Sequence, residues 1–169
     1  MKYKILKNDT KMINDKTLYR IKAVKTFNDV KKGNLGGYIE KEYNLSQKDN
    51  AWVSDDACVY GKACVYDKAR ISGNARVYGN AWVYGNAQVY DNARVSDNAQ
   101  VFDKTFVYGN THVYGSARVY GKARIYEYTH IYGNARVYGD TCVYGDAWVY
   151  SDARVSGKAR ISGDARIQF

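Results

Sequence analysis

Proline is absent from the 169 residues, cysteine occurs three times and histidine twice. Each scarcity narrows the field. Cys58, Cys64 and Cys142 make no paired framework and no Cys-x-x-Cys spacing occurs, so they read as free thiols of a reducing compartment. The opening residues, Met1 to Lys11, lack the apolar stretch of a secretion signal. No run approaches the roughly 20 apolar residues of a membrane span, so no membrane partner is expected. There is no Gly-rich phosphate loop, nucleophile elbow or Cys/His metal spacing, so no cofactor and no metal is expected.

Positive charge and tyrosine are plentiful instead. The chain carries 26 basic and 17 acidic side chains, a net charge of +9, and 18 tyrosines. Residues 1–50 hold twelve of the basic groups against six acids, and residues 51–169 hold fourteen against eleven. Such a balance points to anionic partners, whether nucleotides, nucleic acid or an acidic protein. The plainer reading is a solvated surface with excess lysine.

Beyond residue 50 one aliphatic side chain recurs every six positions, from Val53, Val59 and Val65 to Ile161 and Ile167, with Ala or Thr two positions before each. Residues two apart share a face of a strand, so this pair points inward. The side chains flanking the aliphatic one point outward. The next two positions, Gly or Asp and then Asn, Lys or Asp, tolerate the positive φ of a corner. Each hexapeptide is therefore one short strand and a turn. Three of them make a triangular coil of eighteen residues, and coils stack at about 4.8 Å. A hairpin sandwich would not hold one phase through about twenty such units. The expected architecture is all-β, a parallel β-helix over residues 51–169 with a small β cap over residues 1–50. The cap is read as two or three short strands, with turns at Lys7–Thr10, at Ile13–Lys16 and at Lys31–Gly37. Leu45, six before Ala51, falls in the small-residue register. A cap is needed because a solenoid's first coil exposes unpaired strand edges.

Outward residues eighteen apart should stack into columns on three faces. The third face places Arg118, Arg136 and Arg154 one above another beside Tyr120 and Tyr138. Stacked like charges destabilise a sheet. Cation–π contact with the tyrosines, or a bound phosphate gripped by guanidinium forks, would offset that. The competing reading is a ladder that only stiffens the sheet. The second face stacks His112 on His130, with Tyr114 and Tyr132 alongside; a third metal ligand is missing there, so these four residues are read as part of a ligand-binding contact surface. The first face carries Tyr90, Tyr108, Tyr126 and Tyr144 in an unbroken column beside Phe106, an exposed strip suited to self-association or a partner protein. Thr105, Thr111, Thr129 and Thr141 fall in the inward register, which argues against an ice-binding array. One unit breaks the corner rule: Glu127-Tyr128 replaces the usual Gly-Asn and reads as drift, with Tyr128 as recognition residue the alternative.

The repeat of aliphatic residue, two turn positions and Ala or Thr resembles the hexapeptide-repeat superfamily. That resemblance implies the left-handed form of the helix. Many of its members are trimeric acyltransferases with a catalytic His between subunits. Here no loop interrupts the array, and neither His has an acid in its own strand, so a non-enzymatic role is expected, with acyltransferase as an alternative. The head, with Leu18-Tyr19-Arg20-Ile21, Gly33-Asn34-Leu35-Gly36-Gly37-Tyr38-Ile39-Glu40 and Asn44-Leu45-Ser46, resembles a group of phage and prophage proteins. That likeness implies the cytoplasm of a bacterial host. The resulting expectation is a protein that binds or sequesters a nucleotide or short nucleic acid, as an anti-defence factor. The alternative is a scaffold or decoy for a host protein. Open strand edges at the C-terminal coil add a homo-oligomer, dimer or trimer, to the expected partners.

Overall fold

A computed structural model describes residues 1–169. From residue 52 onward every strand is two or three residues long, and each except the last three pairs in parallel with the strand three hexapeptides later. Val53 lies opposite Ile71, Val59 opposite Val77 and Val65 opposite Val83. That eighteen-residue offset persists to the end of the chain, where Val149 meets Ile167. The result is a β-solenoid with three stacks of parallel strands, two of them seven solenoid strands deep and the third six.

The six-residue period forms the inner wall. The alanines from Ala51 to Ala153 and nearly all the valines and isoleucines between them are fully buried in one continuous core. Where Thr replaces Ala, its hydroxyl is buried too and needs a partner. Thr105, Thr111 and Thr129 donate to the carbonyl three residues back, at 2.6, 2.7 and 2.7 Å. Thr141 Oγ1 finds none.

Corners turn on one residue with positive φ. At Gly109, φ is 69°, and a Cβ there would lie 2.8 Å from the backbone nitrogen of Glu127 one coil later. Asp91, one coil earlier, holds φ 57° and turns its carboxylate to accept the Gly109 N–H at 3.2 Å. Short acids tolerate this conformation because they hydrogen-bond locally. The pattern repeats from Asp55 to Gly73, Asp67 to Gly85, Asp97 to Gly115 and Asp103 to Gly121. Glu127 belongs to it as well: its φ is 64° and its carboxylate accepts the Gly145 N–H at 2.7 Å. The Glu127 unit thus keeps the corner geometry, and its carboxylate clamps the next coil as the aspartates do.

The first fifty residues are built differently. Strands β1 (Tyr3–Ile13) and β2 (Lys16–Ala23) form an antiparallel hairpin, and β2 pairs antiparallel with β3 (Leu35–Ile39). Strand β3 then runs parallel to Cys58–Val59, so the cap continues one sheet of the solenoid. The hairpin turns at Asn14 and Asp15, with φ 46° and 60°, as a two-residue turn that matches strand twist. Two expected turns are strand instead. Lys7–Thr10 lies inside β1, where the register jumps between Leu6 and Thr10 as a bulge. Leu35 to Gly37 belongs to β3, because Gly36 and Gly37 are pressed on their neighbours: a Cβ on Gly36 would lie 2.5 Å from Ile21 and 2.6 Å from the Val53 carbonyl, and one on Gly37 2.5 Å from the Ala57 carbonyl. Leu45 also departs from its expected register. It bridges Val65, an offset of twenty rather than eighteen, and fills an aliphatic position in the core.

The cap plugs the first coil with side chains. Trp52 is buried between the rings of Tyr3 and Phe27, with centroids 6.3 and 5.5 Å away. Tyr3 Oη lies 2.7 Å from the Leu45 carbonyl, and the buried Lys2 ammonium donates to the carbonyls of Ala51 at 2.6 Å and Asp49 at 3.1 Å. The Cys58 thiol, outward by register, is covered by Ile13, Leu18 and Tyr38, and burial pushes its pKa up.

Candidate anion-binding face

Parallel pairing at constant register converts each outward position into a column. On the third face Gln100 stands opposite Arg118, Arg118 opposite Arg136 and Arg136 opposite Arg154. All three arginines are exposed. None forms an ion pair; past residue 70 the one ion pair is Lys122 with Asp140, at 3.9 Å on the neighbouring corner. Lys104 and Lys158 occupy the same corner position in other coils, so the face and its edge carry few opposing charges.

Beside the arginines runs the longest aromatic stack of the molecule. Tyr66, Tyr84, Phe102, Tyr120 and Tyr138 follow one another with centroids 4.8–4.9 Å apart and planes within 4°. This overturns the expected Arg–Tyr cation–π contact. Register sets ring above ring, and stacked neighbours take both faces of Tyr120 and one of Tyr138. The arginines stand two residues away along each strand in a column of their own. The single cation–π contact on the solenoid is Arg166 over Trp148, at 4.5 Å on the second face.

That second face holds a mixed ladder. His112 lies 5.0 Å from His130, and His130 lies 5.1 Å from Trp148, with planes tilted by 46° and 40°. Tyr114, Tyr132 and Tyr150 stack beside them at 4.9 and 5.2 Å. Burial pulls the His112 pKa below its ordinary value, and the neighbouring His130 and Arg94 push the same way; for His130 burial and then Arg166 do so against the opposing pull of Asp146. Burial thus favours the neutral form of both imidazoles, which offer stacking surface rather than charge. No group of three potential metal ligands comes together anywhere in the chain.

On the first face Tyr90, Tyr108, Tyr126 and Tyr144 stack at 4.8–5.1 Å with planes within 7°. Phe106 sits half-buried in the adjacent column. The strip exposes mainly ring edges and hydroxyls, because every ring face except the outer ones of Tyr90 and Tyr144 is shielded by the next ring. Burial raises the pKa of Tyr90, Tyr108 and Tyr126.

Sequence reasoning missed the cap end of the third face. Tyr43 and Trp82 are 49 % and 47 % exposed there. Trp82 stands in the arginine column, between Cys64 and Gln100, so its column membership was legible. Tyr43 belongs to a short 3-10 turn, Glu42–Asn44, whose placement depends on the twenty-residue offset at Leu45.

Three segments of the chain, residues 69–85, 87–103 and 131–145, match the family model described as the YdcK beta solenoid repeat. All three lie in the stacked coils, and with the fold they make this a β-helix repeat protein. No curated protein matches the chain. No helix is long and apolar enough to cross a membrane.

Proposed function

We propose that this β-solenoid is a non-enzymatic binding protein and that its third face takes a phosphate-bearing ligand. The observation that carries the reading is the column of Arg118, Arg136 and Arg154, in register, exposed and without a carboxylate partner. Directly opposed like charges cost up to about 1 kcal/mol per pair, and the tyrosines beside them supply no cation–π offset. A guanidinium presents a planar fork of donors that matches phosphate oxygens, so a polyanion laid along the column would satisfy all three at once. Neither imidazole stands on this face, which favours binding over general acid–base chemistry.

The reading extends to kinship. The repeat points to the hexapeptide superfamily and the head to the phage and prophage group. In that setting the protein would sequester a phosphorylated host signal or a short nucleic acid. The test is binding of nucleotides, oligonucleotides and inorganic tripolyphosphate across a salt series. Affinity should fall steeply with salt, and Arg136→Ala should lower the log–log slope by about 0.7, the value for one phosphate of a single strand. Absence of binding by every anion in the series would sink the proposal.

A further inference from the structure

The third face changes chemistry along its length. Its far end is cationic, whereas its cap end is an open recess of about 380 Å³ lined by Tyr43, Ser46, Cys64, Val65, Tyr66 and Trp82, without a charged group. The recess exists because the aromatic ladder stops there. Ser46 N–H donates to the Val65 carbonyl as Tyr66 N–H donates to that of Val83, so Ser46 occupies the next rung but has no ring. Tyr66 stacks on Tyr84 on one side only. Trp82 stands nearly perpendicular to it, at 77° with centroids 6.3 Å apart, and forms a wall. Tyr43 closes the other side, its hydroxyl tied to the Gly61 carbonyl at 2.6 Å. A flat aromatic group entering here would continue the ladder by one rung.

Distances along the face limit what that group belongs to. Trp82, Gln100 and Arg118 follow Cys64 in single coil steps. Three steps thus separate the recess from Arg118, about 14 Å, and five separate it from Arg154, about 24 Å, at sheet spacing. A mononucleotide is too short to fill the recess and reach the three arginines. A single strand, with about 3.4 Å per phosphate when stacked, spans the distance with about seven nucleotides, or fewer when extended. Gln100, between the two ends, offers an amide that can pair with a base edge. A charged groove beside an aromatic platform is also what sequence-tolerant single-strand binding requires.

The geometry points to single-stranded nucleic acid as the ligand, with one base stacked on Tyr66 in the Trp82 recess and the phosphates following Arg118, Arg136 and Arg154. This inference rests on the anion-binding reading of the same face and adds a ligand class, a footprint and a direction. An apolar peptide would use the recess without the arginines, and free polyphosphate would use the arginines without the recess.

The experiment is fluorescence anisotropy with labelled oligothymidylates of two, four, eight and twelve nucleotides, a duplex of twelve base pairs, and tripolyphosphate as competitor. Proteins are the wild type, Trp82→Ala and Arg136→Ala, each checked for its unfolding midpoint. Affinity should rise with length to about eight nucleotides and then level off. Trp82→Ala should weaken the eight-nucleotide strand about tenfold with its salt slope unchanged, and Arg136→Ala should lower the slope. If Trp82→Ala binds the strand as the wild type does, or if the duplex binds equally well, the base-stacking inference is overturned while the anion-binding face stands. If neither strands nor tripolyphosphate bind, both fall together.

Discussion

The cap and the solenoid use charge in opposite ways. Six of the seven ion pairs involve residues of the first fifty: Lys2, Asp9, Lys16, Arg20, Asp29, Glu40, Lys41 and Asp49 among them. Arg20 shows the style. Its Nε lies 2.9 Å from Asp9, Nη1 donates to the Gly36 carbonyl at 2.9 Å, Nη2 donates to the Tyr38 hydroxyl at 2.6 Å, and the guanidinium lies 4.4 Å from the centre of the Tyr38 ring. In the coils that follow, backbone ladders and a ring-on-ring stack hold the structure, and Arg118, Arg136 and Arg154 are left without such partners. Arg20 is surrounded by partners; the three arginines of the column are not.

Substitutions can break that contrast. The largest effect is expected for Arg20→Ala, which leaves the Gly36 carbonyl without its donor, removes the bond to the Tyr38 hydroxyl and uncovers the Tyr38 ring, and should cost about 2 kcal/mol in denaturant unfolding. An unchanged midpoint would place the cap's ion pairs among inert surface contacts.

A smaller, pH-dependent effect should come from Lys2. Burial holds its pKa down to about 8 from 10.5, although Asp49 pulls the other way. Between those values the folded chain binds fewer protons than the unfolded one, so stability should rise as pH climbs from about 8 towards 10. In Lys2→Met the rise should vanish, as read from urea midpoints at several pH values in that window.

Within the solenoid, Asp91→Ala removes the carboxylate from the Gly109 amide and leaves a Cβ at positive φ without local support. About 1 kcal/mol should be lost, and less for Asp91→Gly, which accepts that φ freely. Equal losses would mean that backbone conformation contributes nothing at this corner. The smallest effect sharpens the comparison most: Arg136→Ala should leave the unfolding midpoint within about 0.5 kcal/mol of the wild type, or raise it, because two like-charge contacts disappear. A loss as large as that of Arg20→Ala would make the column structural.

Much of this molecule is legible in its residues. The unbroken spacing of Val53 to Ile167 defines the inner wall, the eighteen-residue coil and the membership of every outward column, since nothing but local strand geometry is involved. The head is not legible in that way. The bulge at Lys7–Asp9, the strand through Gly36-Gly37 and the shifted register of Leu45 all depend on docking against the first coil. The site divides likewise. The Arg118–Arg136–Arg154 column follows from counting, whereas ring stacking in place of cation–π contact depends on which of two adjacent columns a face meets. The recess depends on a missing rung at Ser46, outside the period altogether.

The eighteen-residue coil also makes the array a reading frame with three phases. Losing one hexapeptide would leave the inner wall intact, because every remaining unit still supplies its Ala and Val. Yet all side chains beyond the deletion would rotate onto the neighbouring face, splitting the Tyr66–Tyr138 ladder and parting Trp82 from Arg118. Losing three hexapeptides together would keep the phase and merely shorten each column by one step. Length in this protein is therefore adjustable only in whole coils, while any other change re-deals what its surfaces present.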